Sequence, residues 1–189
     1  NGMLLELSLV ILALSLIVEV IRSHRQLGKA IKSGKTNPPL EHYPSVTVIR
    51  PIKGLDFEAR ENIEAALNNG YPAEVETIFV LDDSIEPVLP IIEAAIERHF
   101  VSGRPGSAKV IFAGQPPAGQ TGKLNAMIKG LDQAQNELIA FADSDIRPDG
   151  DGLRFLVETL MTSNGAGSAF APVVVLSNNQ TVGDVGYSL

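Results

Sequence analysis

The chain has 189 residues, of which 44% are hydrophobic and 20% are charged, so it can form one packed core and wholesale disorder is excluded. It contains no cysteine, which excludes disulfides and thiolate chemistry. The net charge is −7, and beyond Lys35 the balance is −10 because 20 acidic residues stand against 10 basic ones; this argues against nucleic acid as a partner.

The chain begins with a long apolar run. Leu4–Ile21 is apolar apart from two serines and the acidic residues Glu6 and Glu19 near its ends. As a helix, this run would extend about 27 Å, close to the bilayer core thickness of about 30 Å. We therefore predict a transmembrane anchor over 3–21. A cleaved signal peptide fits less well because the positive charge follows the run, and a buried core helix is rarely so uniformly apolar.

A basic segment follows the predicted anchor. It has no acidic residue and contains five basic ones, Arg22, Arg25, Lys29, Lys32 and Lys35. Such a flank stays on the cytoplasmic side of a membrane, where anionic lipids attract it. We therefore predict a basic juxtamembrane linker over 22–44, a membrane localisation, and a catalytic domain on the cytoplasmic side. A merely solvated linker remains compatible with this pattern.

From Ser45 onward, β-branched runs alternate with amphipathic segments of helical period. This alternation predicts an α/β fold with a mostly parallel sheet and right-handed crossovers. The predicted strands are Val46–Ile49, Val75–Leu81, Lys109–Ala113, Leu138–Ala142 and Ser168–Leu176. The predicted helices are Glu58–Asn69, one that begins at Pro87 and includes Phe100, Leu124–Leu131 and Leu153–Met161.

Polar side chains follow three of the predicted strands, at the positions where parallel α/β sheets bind ligands. They are Lys53 and Asp56, Asp82 and Asp83, and Asp143 and Asp145. Two carboxylates separated by one residue can contact the same small cation, and Mg²⁺ and Mn²⁺ prefer oxygen ligands. Asp143 and Asp145 therefore predict a site for Mg²⁺ or Mn²⁺, with an ordinary polar turn as the alternative.

Two further segments have weaker signals. One of Asp82 and Asp83 is expected to bind a ribose or base, with Asp83 favoured, while the other caps the helix near Pro87. Gly119–Asn125 resembles a phosphate-binding P-loop but lacks its first glycine and the serine or threonine after the lysine. It still presents Lys123 at a helix start, which suits a diphosphate; an exposed loop lysine explains the segment equally well.

Taken in order, these segments resemble family 2 and family 21 glycosyltransferases, most closely the ceramide glucosyltransferase-like group. The matching stretches are Val46–Asp56, Asn62, Tyr71-Pro72, Val80–Asp83, Gly122–Asn125, Lys129–Leu131 and Asp143–Arg147. The resemblance implies a GT-A nucleotide-sugar-binding fold over 45–189. It also implies inverting, metal-dependent transfer of a hexose, usually glucose from UDP-glucose, to a membrane lipid acceptor such as ceramide.

The resemblance also implies roles for individual residues. Asp83 would lie near the nucleoside and Lys123 near the diphosphate, while Asp143 and Asp145 would serve the donor and the metal. The nucleotide-sugar site would thus comprise Pro51, Lys53, Asp82, Asp83, Lys123 and Asp143, with Asp143 and Asp145 as metal ligands.

The chain also departs from the family pattern. Members continue with a general-base aspartate and an Arg-Trp motif, whereas this chain has no tryptophan and ends at Leu189. We therefore expect a domain incomplete at its C-terminus, with the base beyond Leu189 and no turnover by this part alone. The alternatives are a sugar-1-phosphate nucleotidyltransferase and a non-catalytic, membrane-tethered nucleotide-binding module.

Overall fold

The computed structural model describes residues 2–32 and 37–171, and the chain divides into two compact units, Asn1–Pro38 and Pro39–Leu189. The first unit contains helix α1, Gly2–Lys32. This helix continues past residue 21, where the predicted anchor ends, because no proline interrupts it. Within residues 2–32 and 37–171, no helix combines the length and apolar character needed to cross a bilayer. The predicted span over 3–21 is therefore not confirmed.

The second unit is a parallel α/β domain, as predicted. Within its described residues, 39–171, its elements are β1 Val46–Pro51, α2 Ala59–Leu67, β2 Val75–Leu81, α3 Leu89–Val101, β3 Ser107–Phe112, α4 Gly122–Asp132, β4 Leu138–Phe141 and α5 Gly152–Thr162. The predicted strand Ser168–Leu176 is wrong for its described part, since residues 168–171 pair with no strand of the sheet. The rest of that segment lies outside the described residues.

The four strands lie in the order β3-β2-β1-β4, and every neighbouring pair is parallel. The first two crossovers move the chain outward from β1 to β3. The third crossover, which contains α4, returns past β2 and β1 and places β4 on the other side of β1. The strand order therefore reverses beside β1, and this is where open α/β sheets bind ligands.

The core covers both faces of the sheet because side chains alternate along β2. Phe79 and Leu81 pack with α2 and α3, whereas Ile78 and Val80 pack on the α4 side. A third cluster joins the start of β1 to α5 through Val46, Val48, Leu153 and Val157. Every residue of β2 is buried, as expected for a central strand of a parallel sheet.

A polar network lies at the amino end of the sheet, opposite the edge where ligands are expected. The buried carboxylate of Glu76 accepts hydrogen bonds from Thr47 Oγ1 at 2.8 Å and from the N–H of Gln135 at 2.9 Å. Its other oxygen lies 2.8 Å from Lys109 Nζ. The network therefore ties β1, β2 and β3 to the segment that leads into β4.

Replacing Glu76 by glutamine is expected to lower the free energy of unfolding at neutral pH by about 1–2 kcal/mol. Burial alone raises the pKa of Glu76, but the hydrogen bonds from Lys109, Gln135 and Thr47 outweigh it, so the net pKa lies below the ordinary value of 4.5. The stabilisation is thus present above about pH 4.5 and is lost as the pH falls through the lowered folded-state pKa. Urea denaturation from about pH 7 to about pH 3 checks this: the two proteins should converge in acid, and a constant difference contradicts it.

Candidate functional site

Because the four strands are parallel, their carboxyl ends share one edge of the sheet, and two ion pairs form there. Lys53 Nζ, just beyond β1, lies 2.7 Å from Asp82 Oδ2, just beyond β2. Lys123 Nζ, in the first turn of α4, lies 2.6 Å from Asp143 Oδ1, just beyond β4. These four residues are called the carboxyl-edge cluster below.

The two ion pairs adjoin each other at the start of α4. A Cβ atom added at Gly122 would lie 3.8 Å from Asp82 Oδ1, which places the first residue of α4 against the Lys53–Asp82 pair. The next residue, Lys123, reaches Asp143. The structure thus brings together the predicted site residues Lys53, Asp82, Lys123 and Asp143, and the half-buried Pro51 ends the strand that lies between them.

The segment after β4 presents two carboxylates to solvent. Asp143 and Asp145 are exposed, whereas Ser144 between them and Ile146 after them are half-buried. The N–H of Ile146 donates to the carbonyl oxygen of Asp143 at 3.3 Å, which closes a turn. Both carboxylates are therefore accessible from solvent.

Beneath this turn lies Arg50, a residue that the sequence analysis did not single out. Its side chain is 1% exposed, and Nη2 donates to the carbonyl oxygens of Asp143 at 2.8 Å and Ile146 at 2.7 Å. A longer contact of 3.4 Å reaches the carbonyl of Ser144. Burial lowers the pKa of Arg50 to about 10 although the charges of Asp143 and Asp145 oppose the shift, so the guanidinium stays protonated at neutral pH.

A second arginine holds the end of the same segment. Arg147 Nη2 lies 2.6 Å from Glu58 Oε2, and Arg147 Nε donates to the buried Asn62 Oδ1 at 3.2 Å. Glu58 has a positive φ of 54°, a conformation that costs a non-glycine residue about 1 kcal/mol or more. The exit of β4 is therefore fastened to α2.

Local hydrogen bonds also fix the start of α4. Thr121 caps the helix by accepting from the N–H of Leu124 at 3.3 Å. The buried Asn125 donates from Nδ2 to the carbonyl oxygens of Ala113 at 3.2 Å and Gly114 at 3.3 Å, so the helix is tied to the end of β3. Lys123 thus extends from an anchored helix start rather than from a free loop.

One sequence-based expectation for Asp82 and Asp83 is wrong. Neither caps α3, whose N-cap position is Val88 and has no side-chain cap. Instead, Asp83 Oδ1 accepts from the N–H of Ile85 at 2.9 Å, and Asp82 pairs with Lys53. The intervening residues 84–88 turn before α3 begins, which leaves both carboxylates too early in the chain to cap it.

The carboxylates at this edge suit a metal ion whose coordination shell is completed by a bound ligand. Within residues 2–32 and 37–171, no three His, Asp or Glu side chains cluster closely enough to hold a metal by themselves. Asp143 and Asp145 supply two carboxylate groups, and Asp143 already forms an ion pair with the ammonium group of Lys123. Mg²⁺ and Mn²⁺ commonly bind through one or two carboxylates plus phosphates and waters, so the residues present fit such an ion.

Proteins with similar sequences include two ceramide glucosyltransferases. A ceramide glucosyltransferase from Candida albicans is 29% identical over 112 residues, which are 56% of this chain and 21% of that protein. Ceramide glucosyltransferase 1 of Caenorhabditis elegans is 28% identical over 120 residues, 63% of this chain and 24% of that protein. The chain therefore matches only about a quarter or less of the length of these relatives.

A solved mannosyltransferase from Pyrobaculum calidifontis, in complex with GDP-Man and Mn²⁺, is similar in structure. It superimposes with a TM-score of 0.51 at 20% identity, over 76% of this chain and 39% of its own. This likeness confirms the predicted GT-A type of parallel α/β fold. The sequence pattern of glycosyl transferase family 21 matches residues 7–186, nearly the whole chain. The chain belongs to glycosyl transferase family 21.

Proposed function

We propose that this chain is the donor-binding part of an inverting hexosyltransferase that transfers glucose from UDP-glucose to a membrane lipid such as ceramide. The observation that carries the proposal is the pair of exposed carboxylates, Asp143 and Asp145, at the strand end beside the reversal of strand order. Family membership supports the glycosyl transfer, and the names of the relatives support glucose and ceramide.

Asp143 and Asp145 are proposed to hold the donor's diphosphate through Mg²⁺ or Mn²⁺. When bound there, such an ion would supply positive charge that offsets the charge of the leaving diphosphate. Lys123 is proposed to contact the diphosphate as a second positive charge, and Lys53 to approach it from the neighbouring strand end. Both lysines now pair with aspartates of the carboxyl-edge cluster, so each would exchange a carboxylate for a phosphate.

The remaining donor contacts are assigned by position along the same edge. Asp83 is exposed beyond β2 and is proposed to accept a hydrogen bond from the nucleoside, which requires that it release the N–H of Ile85 or use its second oxygen. Pro51, at the end of β1, is proposed to lie beside the nucleobase of the donor. The acceptor hydroxyl attacks the anomeric carbon and must lose its proton to a general base.

A membrane setting forms part of the proposal. A lipid acceptor such as ceramide resides in a bilayer, and the five basic residues between Arg22 and Lys35 suit an anionic cytoplasmic surface. We therefore propose that the donor site faces the cytoplasm next to a membrane.

Calorimetric titration of UDP-glucose into the full 189-residue chain, with Mn²⁺ and with EDTA, tests the donor proposal. Binding that requires Mn²⁺ and prefers UDP-glucose to a nucleoside triphosphate is the expected result. Preference for the triphosphate would favour a nucleotidyltransferase instead. Absence of any nucleotide binding would leave a non-catalytic module and contradict the proposal.

Replacing Lys123 by alanine is expected to change two affinities in opposite directions. Mn²⁺ alone should bind up to about fivefold more tightly, because the variant no longer neutralises Asp143, and exposed ion pairs of this kind are worth about 1 kcal/mol or less. UDP-glucose in saturating Mn²⁺ should bind about tenfold more weakly, because one charge-assisted contact to the diphosphate is lost.

Titrations of Mn²⁺ alone and of UDP-glucose with Mn²⁺ measure the two affinities. Lys129→Ala is the matched control, since Lys129 is also an exposed lysine on α4 but lies almost two turns from the helix start. It should leave both affinities unchanged. A Lys123→Ala variant in which both affinities fall together would contradict the proposed exchange of partners.

A further inference from the structure

The burial of Arg50 requires an explanation, because a charged group inside a sheet costs free energy unless its environment compensates it. Arg50 follows four buried residues of β1 and is among the largest fully buried side chains of the molecule. Among the residues that the structure describes, no carboxylate forms a direct ion pair with its guanidinium, and Nε has no hydrogen-bond partner. Its Nη2 donates hydrogen bonds to backbone carbonyl oxygens of the turn after β4.

The three carbonyl oxygens that Nη2 contacts all belong to four consecutive residues, Asp143–Ile146. A single planar donor group thus holds these carbonyls toward the sheet. The side chains of Asp143 and Asp145 are exposed on the outer side of the same turn. The turn is therefore bonded to Arg50 through its carbonyls, while its two carboxylates are exposed.

The charge of Arg50 also favours the close placement of the two carboxylates. It lies close enough to Asp143 and Asp145 for both carboxylates to interact with it electrostatically. Two carboxylates that share one cation repel each other before the cation arrives, and a fixed positive charge beneath them lowers that cost. Arg50 can thus stabilise the paired arrangement in the absence of a metal.

We propose that Arg50 is a positioning residue that preorganises Asp143 and Asp145 for the metal–diphosphate group of the donor, an inference that rests on the proposed function. It does not touch donor or metal. It acts through the backbone of the turn, and Arg147 holds the other end of that turn through Glu58 and Asn62. Groups that orient metal ligands in this way typically change metal affinity about 10- to 100-fold when they are removed.

The test uses the full chain with two substitutions. Arg50→Met keeps an unbranched, largely apolar stem but removes the charge and the donors, whereas Arg50→Lys keeps the charge and loses the planar donor group. Amide hydrogen exchange across residues 142–147 in metal-free protein is the first readout. UDP-glucose affinity in Mn²⁺ and in EDTA is the second.

Exchange of the turn amides is expected to accelerate about tenfold or more in Arg50→Met, while exchange within β2 stays near that of the parent chain. The Mn²⁺-dependent affinity for UDP-glucose should fall about 10- to 100-fold, with any affinity in EDTA unchanged. Arg50→Lys should fall between Arg50→Met and the parent chain in both readouts. Arg98→Met, which removes an exposed arginine on α3, should match the parent chain.

Unchanged exchange of the turn together with parent-like Mn²⁺-dependent affinity in both Arg50 variants overturns the inference. Should Arg50→Met fail to fold, Arg50→Lys decides the matter by the same two readouts. A parent chain that never binds UDP-glucose in a Mn²⁺-dependent manner refutes the proposed function instead. In that case the hydrogen-exchange comparison still shows whether Arg50 orders the turn.

Discussion

Replacing Asp145 by alanine is expected to remove the Mn²⁺-dependent part of UDP-glucose binding, with a loss of affinity of about 100-fold or more. Asp145 is exposed beside Asp143, and no cluster of three or more potential ligands in the described ranges could replace it. Loss of one of two carboxylates should therefore leave the cation held by Asp143 and phosphate alone. Calorimetric titration of UDP-glucose with Mn²⁺ and with EDTA measures the effect.

Asp149→Ala is the matched control for this substitution. Asp149 is an exposed aspartate four residues further along the chain, in the turn that precedes α5. Its replacement removes the same charge from the same region, and the affinity should change less than about twofold because exposed charges interact only weakly through water. If Asp145→Ala retains the Mn²⁺-dependent affinity of the parent chain, Asp145 is not a metal ligand. Equal losses of affinity in both variants would show that the effect of Asp145→Ala comes only from the change in net charge.

Replacing Gly130 by valine is expected to destabilise the domain by about 3 kcal/mol. Gly130 lies in α4 where the helix contacts β1 and β2, and an added Cβ would come within 2.4 Å of Ile49 Cγ2 and 3.2 Å of Val80 Cγ2. Both neighbours are fully buried and β-branched, so neither side chain can rotate away easily. The overlap should outweigh the gain of about 0.3–0.5 kcal/mol in helix propensity that valine has over glycine.

Thermal and urea denaturation of Gly130→Val and Gly152→Val separate the overlap from the helical effect. Gly152 also lies in a helix, at the start of α5, but nothing lies within 4 Å of a Cβ added there. Its replacement should leave the melting temperature nearly unchanged, whereas Gly130→Val should lower it by about 6–12 °C. Equal melting temperatures for the two variants would show that α4 can move away from the sheet at little cost.

Strand positions were predictable where a run of buried apolar residues ends in polar ones. Val75–Leu81 is predicted and observed with identical bounds, because six of its seven positions are apolar or β-branched, with Glu76 as the exception, and two aspartates follow at once. The helix expected from Pro87 begins instead at Leu89, two residues later. Helix starts are less predictable because a first turn can form or unwind at little cost unless a side chain caps it.

The sequence by itself determined the alternation of strands and helices and the placing of acidic residues at strand ends. Both follow from local rules, namely the period of apolar side chains and the turn preference of aspartate. The sequence also contained a signal that could have identified Arg50, since it is a single charged residue directly after the β-branched run Val46–Ile49. It could not show where that charge points, because its partners lie 93 to 96 positions away.

Only the tertiary structure decided which of these residues meet. Lys123 reaches Asp143 because the third crossover carries the chain back across the sheet, and Arg50 lies beneath the same turn because β4 pairs with β1. Such contacts depend on strand order and register, which form only when distant segments bury their apolar faces together. Most residues of the site could thus be predicted from local sequence patterns, whereas their proximity follows from the packing of the sheet.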